Sequence, residues 1–162
     1  MSRHAVKHDQ RLIVDEVGSW RTDRLLVTEQ DAARLRAALA RGLLESLGGD
    51  SPRDGALELL ATALRSAIVV PPDRIPGDVV TMRSRLVLRD TESGERREVV
   101  LVYPGEERAG AGRVSVLSPV GVALLGLSEG AVLGWPLRDD RMAVLEVEAV
   151  QYQPEAAEEF HL

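Results

Sequence analysis

Hydrophobic positions in the first half of the chain recur every three to four residues, which predicts two amphipathic helices. The first begins at Thr28 and extends for about 20 residues, until a Gly-Gly-Asp break at residues 48–50. The second begins at Ser51-Pro52, a capping serine followed by proline, and is expected to end at Val69-Val70, because two prolines follow. The short loop between them predicts an antiparallel helical hairpin, a short coiled coil, over residues 28–70.

The apolar stripes of these helices are complementary in spacing. They comprise Ala32, Leu35, Leu39, Gly42/Leu43 and Ser46/Leu47 on the first helix, and Leu57, Leu60, Leu64 and Ala67/Ile68 on the second. Residues 71–78 are rich in proline and are predicted to be a linker and domain boundary. Residues 1–27 form an N-terminal extension, in which residues 11–14 and 25–27 are candidate short strands.

The pattern after the linker alternates with a period of two, which predicts strands. Two hairpins are expected, with strands at 79–89 and 97–103 and at 132–137 and 142–150. Between the hairpins, valines at 114 and 116 predict a strand that leads directly into a short apolar helix. Ser118 is placed to cap that helix, Pro119 takes its first position, and Gly126 or Gly130 ends it. The expected fold is α+β: the helical hairpin, followed at residues 79–162 by an antiparallel sheet with one short helix.

Composition narrows the classes of function. The net charge is −6, which argues against unaided binding to a nucleic-acid backbone. The chain has no cysteine, so it has neither disulfides nor thiolate metal ligands. No apolar run approaches the ~20 residues of a membrane span, and no secretory signal is evident, so a cytoplasmic protein is expected.

Residues suited to catalysis are scarce. The three histidines are His4, His8 and His161, all near the ends of the sequence. A metal held by His4 and His8 is geometrically conceivable on a helix, but an exposed pair in a tail more often binds nothing. With neither cysteine nor a central histidine, the usual nucleophile–base pairs cannot form, and no phosphate-binding glycine motif is present. We therefore expect neither an enzyme nor a bound cofactor.

Four segments together resemble a known family. They are Asp78-Val79-Val80-Thr81-Met82-Arg83-Ser84, Leu101-Val102-Tyr103-Pro104, Val116-Leu117-Ser118-Pro119-Val120-Gly121-Val122-Ala123-Leu124-Leu125-Gly126-Leu127, and Tyr152-Gln153-Pro154-Glu155-Ala156-Ala157. In this order they resemble the C-terminal domain of the Gre transcript-elongation factors. The resemblance is stronger to the related Rnk proteins, the regulators of nucleoside diphosphate kinase. It implies an FKBP-like fold for the sheet domain. Prolyl isomerases share that fold, but the aromatic residues that line their pockets are too few here to expect that activity.

The resemblance implies a partner and two candidate sites. In Gre factors the segment matching Leu117, Ser118, Pro119 and Val120 docks on a coiled coil of the largest RNA polymerase subunit, at the rim of the secondary channel. Hairpin-tip acids, here Asp50 and Asp54, reach down that channel to help hold a catalytic metal for transcript cleavage. Two plainer interpretations compete: Asp50 suits a turn and Asp54 a capping box, while residues 117–120 suit a helix cap and core.

Three functions follow from these alternatives. The first is an Rnk-like regulator that binds RNA polymerase near the secondary channel without transcript cleavage and alters nucleoside diphosphate kinase levels directly or indirectly. The second is a cleavage-stimulating factor that uses Asp50 and Asp54. The third is a self-associating scaffold, which predicts that apolar surface remains exposed on the two helices after they have packed within one chain.

Overall fold

The computed structural model describes residues 25–45, 52–109, 112–136, 139 and 141–160. The described residues form three α-helices and seven β-strands. They are β1 (Leu26–Thr28), α1 (Glu29–Glu45), α2 (Pro52–Arg65), β2 (Ile68–Val70), β3 (Arg85–Asp90), β4 (Arg96–Val102), β5 (Arg113–Ser115), α3 (Pro119–Leu124), β6 (Val132–Pro136) and β7 (Met142–Tyr152). Short 3-10 helices lie at Pro72–Arg74 and Glu106–Ala109. The predicted strand at 11–14 lies outside the described residues.

Helix α1 begins where the sequence predicts. The Thr28 hydroxyl accepts a hydrogen bond from the Asp31 amide at 3.1 Å, which satisfies one of the free N–H groups at the helix start. The predicted stripe of Ala32, Leu35 and Leu39 is buried. Its neighbour is α2: the Cα of Gly42, near the end of α1, faces the Leu57 side chain near the start of α2. That contact between the end of one helix and the start of the next is the one expected of an antiparallel pair.

The prediction that α2 continues to Val70 is wrong. The helix ends at Arg65, and residues 68–70 form β2, which pairs in parallel with β1. The Ile68 amide donates to the Leu25 carbonyl at 2.7 Å. Three consecutive β-branched residues favour the extended backbone, and β1 offers them hydrogen bonds that a last helical turn lacks. Ile68, predicted on the buried stripe, is 44% exposed.

The large sheet has the strand order β5-β4-β3-β7-β6. It is mixed and not wholly antiparallel as predicted, because β4 and β5 are parallel. The chain leaves β4 through the 3-10 helix Glu106–Ala109 and returns along the same direction, so a crossover replaces the expected turn. The two predicted hairpins, β3–β4 and β6–β7, are confirmed.

Two predicted strands are shorter than expected. Strand β3 begins at Arg85 instead of Val79, because residues 81–84 form a turn in which Arg83 has a φ of 63°. A left-handed residue cannot continue a strand. Strand β5 ends at Ser115, and a turn separates it from α3, so the strand does not lead directly into the helix.

The two helices pack against the sheet domain instead of standing apart from it. Helix α2 lies against α3, and side chains of α1 and α2 share one hydrophobic core with those of the sheet. The predicted boundary at residues 71–78 stays a prediction, although Ile75 within it is buried. Among residues 25–45, 52–109, 112–136 and 141–160, no helix has the length and apolar character needed to cross a membrane.

Candidate functional site

The junction between β5 and α3 is a tight turn held by hydrogen bonds. The Ser118 amide and hydroxyl both donate to the Ser115 carbonyl, at 3.0 and 2.7 Å. The Ser118 hydroxyl also accepts from the Gly121 amide at 3.0 Å, which confirms the predicted helix cap. The Leu117 amide donates to the Ser115 hydroxyl at 3.1 Å. The turn is therefore preformed and does not depend on a partner for its shape.

Close backbone packing inside this junction requires glycine at position 121. A Cβ added there would overlap the carbonyl oxygen of Ser115. Helix α3 ends before Gly126, which has a φ of 81°, as the sequence predicts for a glycine stop. A close backbone contact near its start and a glycine stop at its end thus fix the position of this apolar helix.

The predicted docking residues differ in accessibility. Leu117 is 6% and Val120 is 8% exposed, so both side chains belong mainly to the core. Ser118 is half-buried and lies on the turn. Pro119 takes the first helical position, as predicted, but its side chain lies outside the described residues. The role of these four residues in docking stays a prediction. Because Leu117 is buried, its side chain stabilises the turn and offers little apolar surface to a partner.

The other candidate positions are not described. Asp50 and the side chain of Asp54 lie outside the described residues, as do His4, His8 and His161. Asp54 lies within the first turn of α2. Among the residues that the structure does describe, no group of three or more His, Asp or Glu side chains is arranged to hold a metal ion.

Sequence reasoning missed a buried polar cluster centred on Asp31, which is 3% exposed. One carboxylate oxygen accepts from the Met82 amide at 3.1 Å, and the other accepts from the Tyr103 hydroxyl at 3.1 Å. Met82 and Tyr103 belong to two of the four segments that carry the family resemblance. An acid in the first turn of a helix is explained by the helix dipole alone, so the sequence contained no signal for this second role.

A third resemblance segment reaches the same cluster. Glu155 accepts a hydrogen bond from the Thr81 hydroxyl at 3.3 Å, and Thr81 also contacts the Ser84 hydroxyl at 3.0 Å. The neighbouring Gln153 donates to the carbonyls of Pro76 and Val79, at 2.7 and 2.8 Å. Three segments far apart in sequence therefore meet beside the first turn of α1.

Burial governs the ionisation of this cluster. Loss of water raises the pKa of Asp31, and this effect outweighs the hydrogen bonds that favour its charged form. Burial also raises the pKa of Tyr103, and the nearby Asp31 charge raises it further, so the phenol stays protonated and donates. The pKa of Glu155 is raised, first by burial and also by the charge of Asp31. The surroundings of the cluster thus favour the protonated forms of Asp31, Tyr103 and Glu155.

Arg83 links the cluster to the surface. Its guanidinium lies 5.1 Å from the centre of the Tyr103 ring and forms a 3.0 Å ion pair with Glu106. Glu106 also accepts from the Tyr103 amide at 3.0 Å. Burial acts to raise the pKa of Glu106, but the bonds from Arg83 and Tyr103 outweigh it and hold that pKa below its usual range. The strained backbone of Arg83 is thereby compensated by two side-chain contacts.

Comparison with known proteins identifies the class of protein that has this fold. Residues 75–152 match the family model described as transcription elongation factor, GreA/GreB, C-term. A transcription elongation factor GreA/GreB from Nitrosomonas europaea has a similar structure, with a TM-score of 0.67 and 31% sequence identity over 81% of this chain and all of that one. The fold is that of the Gre factors, and the FKBP-like description of its sheet domain stays a prediction.

Sequence relatives narrow the class further. The regulator of nucleoside diphosphate kinase of Escherichia coli strain K12 is 41% identical over 105 residues, which are 65% of this chain and 77% of that protein. The transcription elongation factor GreA of Nitratidesulfovibrio vulgaris strain DP4 is 37% identical over 94 residues, 54% of this chain and 58% of that one. The chain belongs to the Rnk family of Gre-related transcription factors, which confirms the resemblance drawn from the four segments.

Proposed function

We propose that this protein binds RNA polymerase at the rim of the secondary channel and modulates transcription by occupying the channel entrance. The sheet domain acts as the clamp and the α1–α2 pair as a plug of limited reach. Membership of the Rnk family carries this proposal, because the segment matched by the GreA/GreB model contains the whole β5–α3 junction. The preformed junction supports it, since a rigid turn loses little conformational entropy on docking.

We propose further that the protein does not stimulate transcript cleavage. Within the part of the chain that the structure describes, helix α1 has 17 residues and α2 has 14. At 1.5 Å per residue they extend about 26 Å and about 21 Å, which is short for a hairpin that must carry Asp50 and Asp54 to the active centre. A cleavage assay on stalled elongation complexes tests this: cleavage that depends on Asp50 and Asp54 contradicts the proposal.

The link to nucleoside diphosphate kinase is proposed to be indirect. The Escherichia coli relative is named for the regulation of that enzyme. A factor that acts on RNA polymerase changes the enzyme's abundance without contacting it. Among the described residues, the four leucines on which a self-associating scaffold would leave apolar surface, Leu35, Leu39, Leu60 and Leu64, are all buried within one chain, which does not favour that rival function.

Co-purification with core RNA polymerase tests the docking proposal. The informative variant is Ser118→Asp, which keeps an acceptor for the Gly121 amide and adds charge and volume on the turn. Because aspartate cannot donate to the Ser115 carbonyl, binding is compared only after an unchanged melting temperature has shown that the turn is intact. The control is Ser93→Asp, the same change on the exposed β3–β4 turn. We expect Ser118→Asp to weaken binding about tenfold, or about 1.4 kcal/mol, and Ser93→Asp to bind as wild type.

Each result decides between proposals. Equal binding by both variants moves the interface away from the junction, and no binding by wild type overturns the polymerase proposal. Substitution of the buried Leu117 is unsuitable, because a charge there disrupts the core before it reports on docking.

A further inference from the structure

The α1–α2 pair meets the sheet domain through two kinds of contact. The first kind is apolar, with Leu35 and Leu60 in the same core as Leu86 and Leu124. Hydrophobic burial is non-directional, so such a surface holds the helices on the sheet but allows small rotations at little cost. The angle between the two parts must be defined by directional contacts.

Asp31 supplies two such contacts. Its Oδ2 accepts from the backbone amide of Met82, in the turn before β3, and its Oδ1 accepts from the hydroxyl of Tyr103, just after β4, both at 3.1 Å. One carboxylate thus joins α1 to two separate segments of the sheet domain. Two attachment points resist rotation about either one, which a single hydrogen bond does not.

Both attachment points are themselves held in place. Tyr103 is held by the bond from its amide to Glu106, while Arg83 lies over its ring. The turn that carries Met82 is closed by the bond from the Thr81 amide to the Ser84 hydroxyl at 2.9 Å. The Arg83 amide donates to the Leu101 carbonyl at 2.6 Å, which ties this turn to β4. The side of the interface that receives Asp31 is therefore preorganised.

We infer that Asp31 is a positioning residue that sets the angle of the α1–α2 pair on the sheet domain. The inference extends the proposed function, because that angle decides where the helical pair lies once the sheet domain has docked on the polymerase. Truncation of this contact leaves the docking turn at residues 115–121 unchanged, since that turn forms its own hydrogen bonds.

Distances between two spin labels measure this angle directly. The chain has no cysteine, so labels attach only at introduced ones. Ala40 on α1 and Ser93 on the β3–β4 turn are exposed and suit the pair Ala40→Cys and Ser93→Cys. The test variants are Asp31→Asn, which places an amide donor against one of the two donors, and the milder Tyr103→Phe, which removes one hydroxyl.

We expect a narrow distance distribution in the otherwise wild-type protein and a broader one in each test variant. The control is Leu133→Val on the edge strand β6, which removes buried apolar contacts within the sheet domain but no hydrogen bond to α1 or to the turn that carries Met82. It should lower the melting temperature and leave the distribution narrow. A wild-type distribution in both test variants, with only the melting temperature reduced, overturns the inference and leaves Asp31 a stabilising residue alone.

Transcription assays separate this inference from the proposed function. At equal polymerase occupancy, Asp31→Asn and Tyr103→Phe should lose most of the effect on transcription, while Leu133→Val retains it. A full effect in variants whose distances have broadened overturns the link between angle and function. If wild type does not bind polymerase, the proposed function fails, and the distance measurement still decides the role of Asp31.

Discussion

Among the described glycines whose surroundings are known, Gly121 is the one at which an added Cβ fits least. An added Cβ overlaps the Ser115 carbonyl, a backbone atom held by two bonds from Ser118. We expect Gly121→Ala to destabilise the protein by about 1–3 kcal/mol or more, because the junction must shift to admit a methyl group. Urea denaturation measures this change in the free energy of unfolding.

Gly55 gives the matched control for that substitution. It lies in α2, and an added Cβ there meets no atom within 4 Å. Gly55→Ala should stabilise the protein by about 0.8–1 kcal/mol, because alanine is the better helix former. Equal destabilisation by both alanines contradicts the close approach at Gly121.

The ionisation of Asp31 should appear as a pH dependence of stability. Its pKa is raised by burial, above the ordinary aspartate value of about 4. The native state therefore binds the proton more tightly than the unfolded state does. The contribution of this group to the free energy of unfolding is fully present below about pH 4. It is lost as the pH rises through the raised pKa of Asp31 in the native state. Glu155, whose pKa the Asp31 charge helps to raise, contributes in the same direction.

The comparison of wild type with Asp31→Asn isolates this contribution. Groups whose pKa is lowered, such as Glu106, give the opposite slope in both proteins and cancel in the difference. We expect the stability of wild type relative to the variant to fall as the pH rises from about 4, measured by urea denaturation across that range. A difference that grows with pH contradicts the raised pKa.

At the scale of elements, α3 depends on its cap. The helix has six residues, and Ser118 provides both an acceptor for the Gly121 amide and a donor for the Ser115 carbonyl. Ser118→Ala should cost about 1–2 kcal/mol, since a helix this short has few other backbone bonds. Thermal melting of Ser118→Ala beside Ser93→Ala measures it. A drop no larger than that of Ser93→Ala shows that the cap is dispensable.

Local sequence signals predicted most of the helices and strands correctly. They failed where pairing between distant segments determines the structure. Caps and glycine stops placed the starts of α1 and α3 and the end of α3, since those signals act within four residues. The helical assignment of Ile68–Val70 failed, because its true partner, Leu26–Thr28, lies about 40 residues away. The parallel pairing of β4 with β5 failed likewise, because the direction of a strand depends on a crossover and not on its own residues.

At the scale of the whole molecule, the shared core predicts cooperative unfolding. Leu60 of α2 is fully buried among side chains of both parts. We expect Leu60→Ala to cost about 2–5 kcal/mol and to shift the loss of helical circular dichroism and of Trp135 fluorescence together. Trp135 lies in β6 and reports on the sheet, and Trp20→Phe in the background removes the other tryptophan.

Separate transitions would show that the helices and the sheet are independent folding units. In that case the helical signal shifts alone and the fluorescence midpoint stays at its wild-type value. The predicted boundary at residues 71–78 would then hold as an energetic boundary. Coincident transitions would make it a connection within one cooperative unit.

The sequence by itself determined the family, the α+β class, the two paired helices and the capped junction. These rest on short-range rules of periodicity and capping, and on four segments whose residue types are specific. Only the tertiary structure decided that the helices pack against the sheet domain, that Asp31 is buried, and that three of those segments meet beside it. Such features depend on contacts between residues 50 to 75 positions apart. Those contacts form only when the fold brings distant segments together. A local sequence pattern therefore does not predict them.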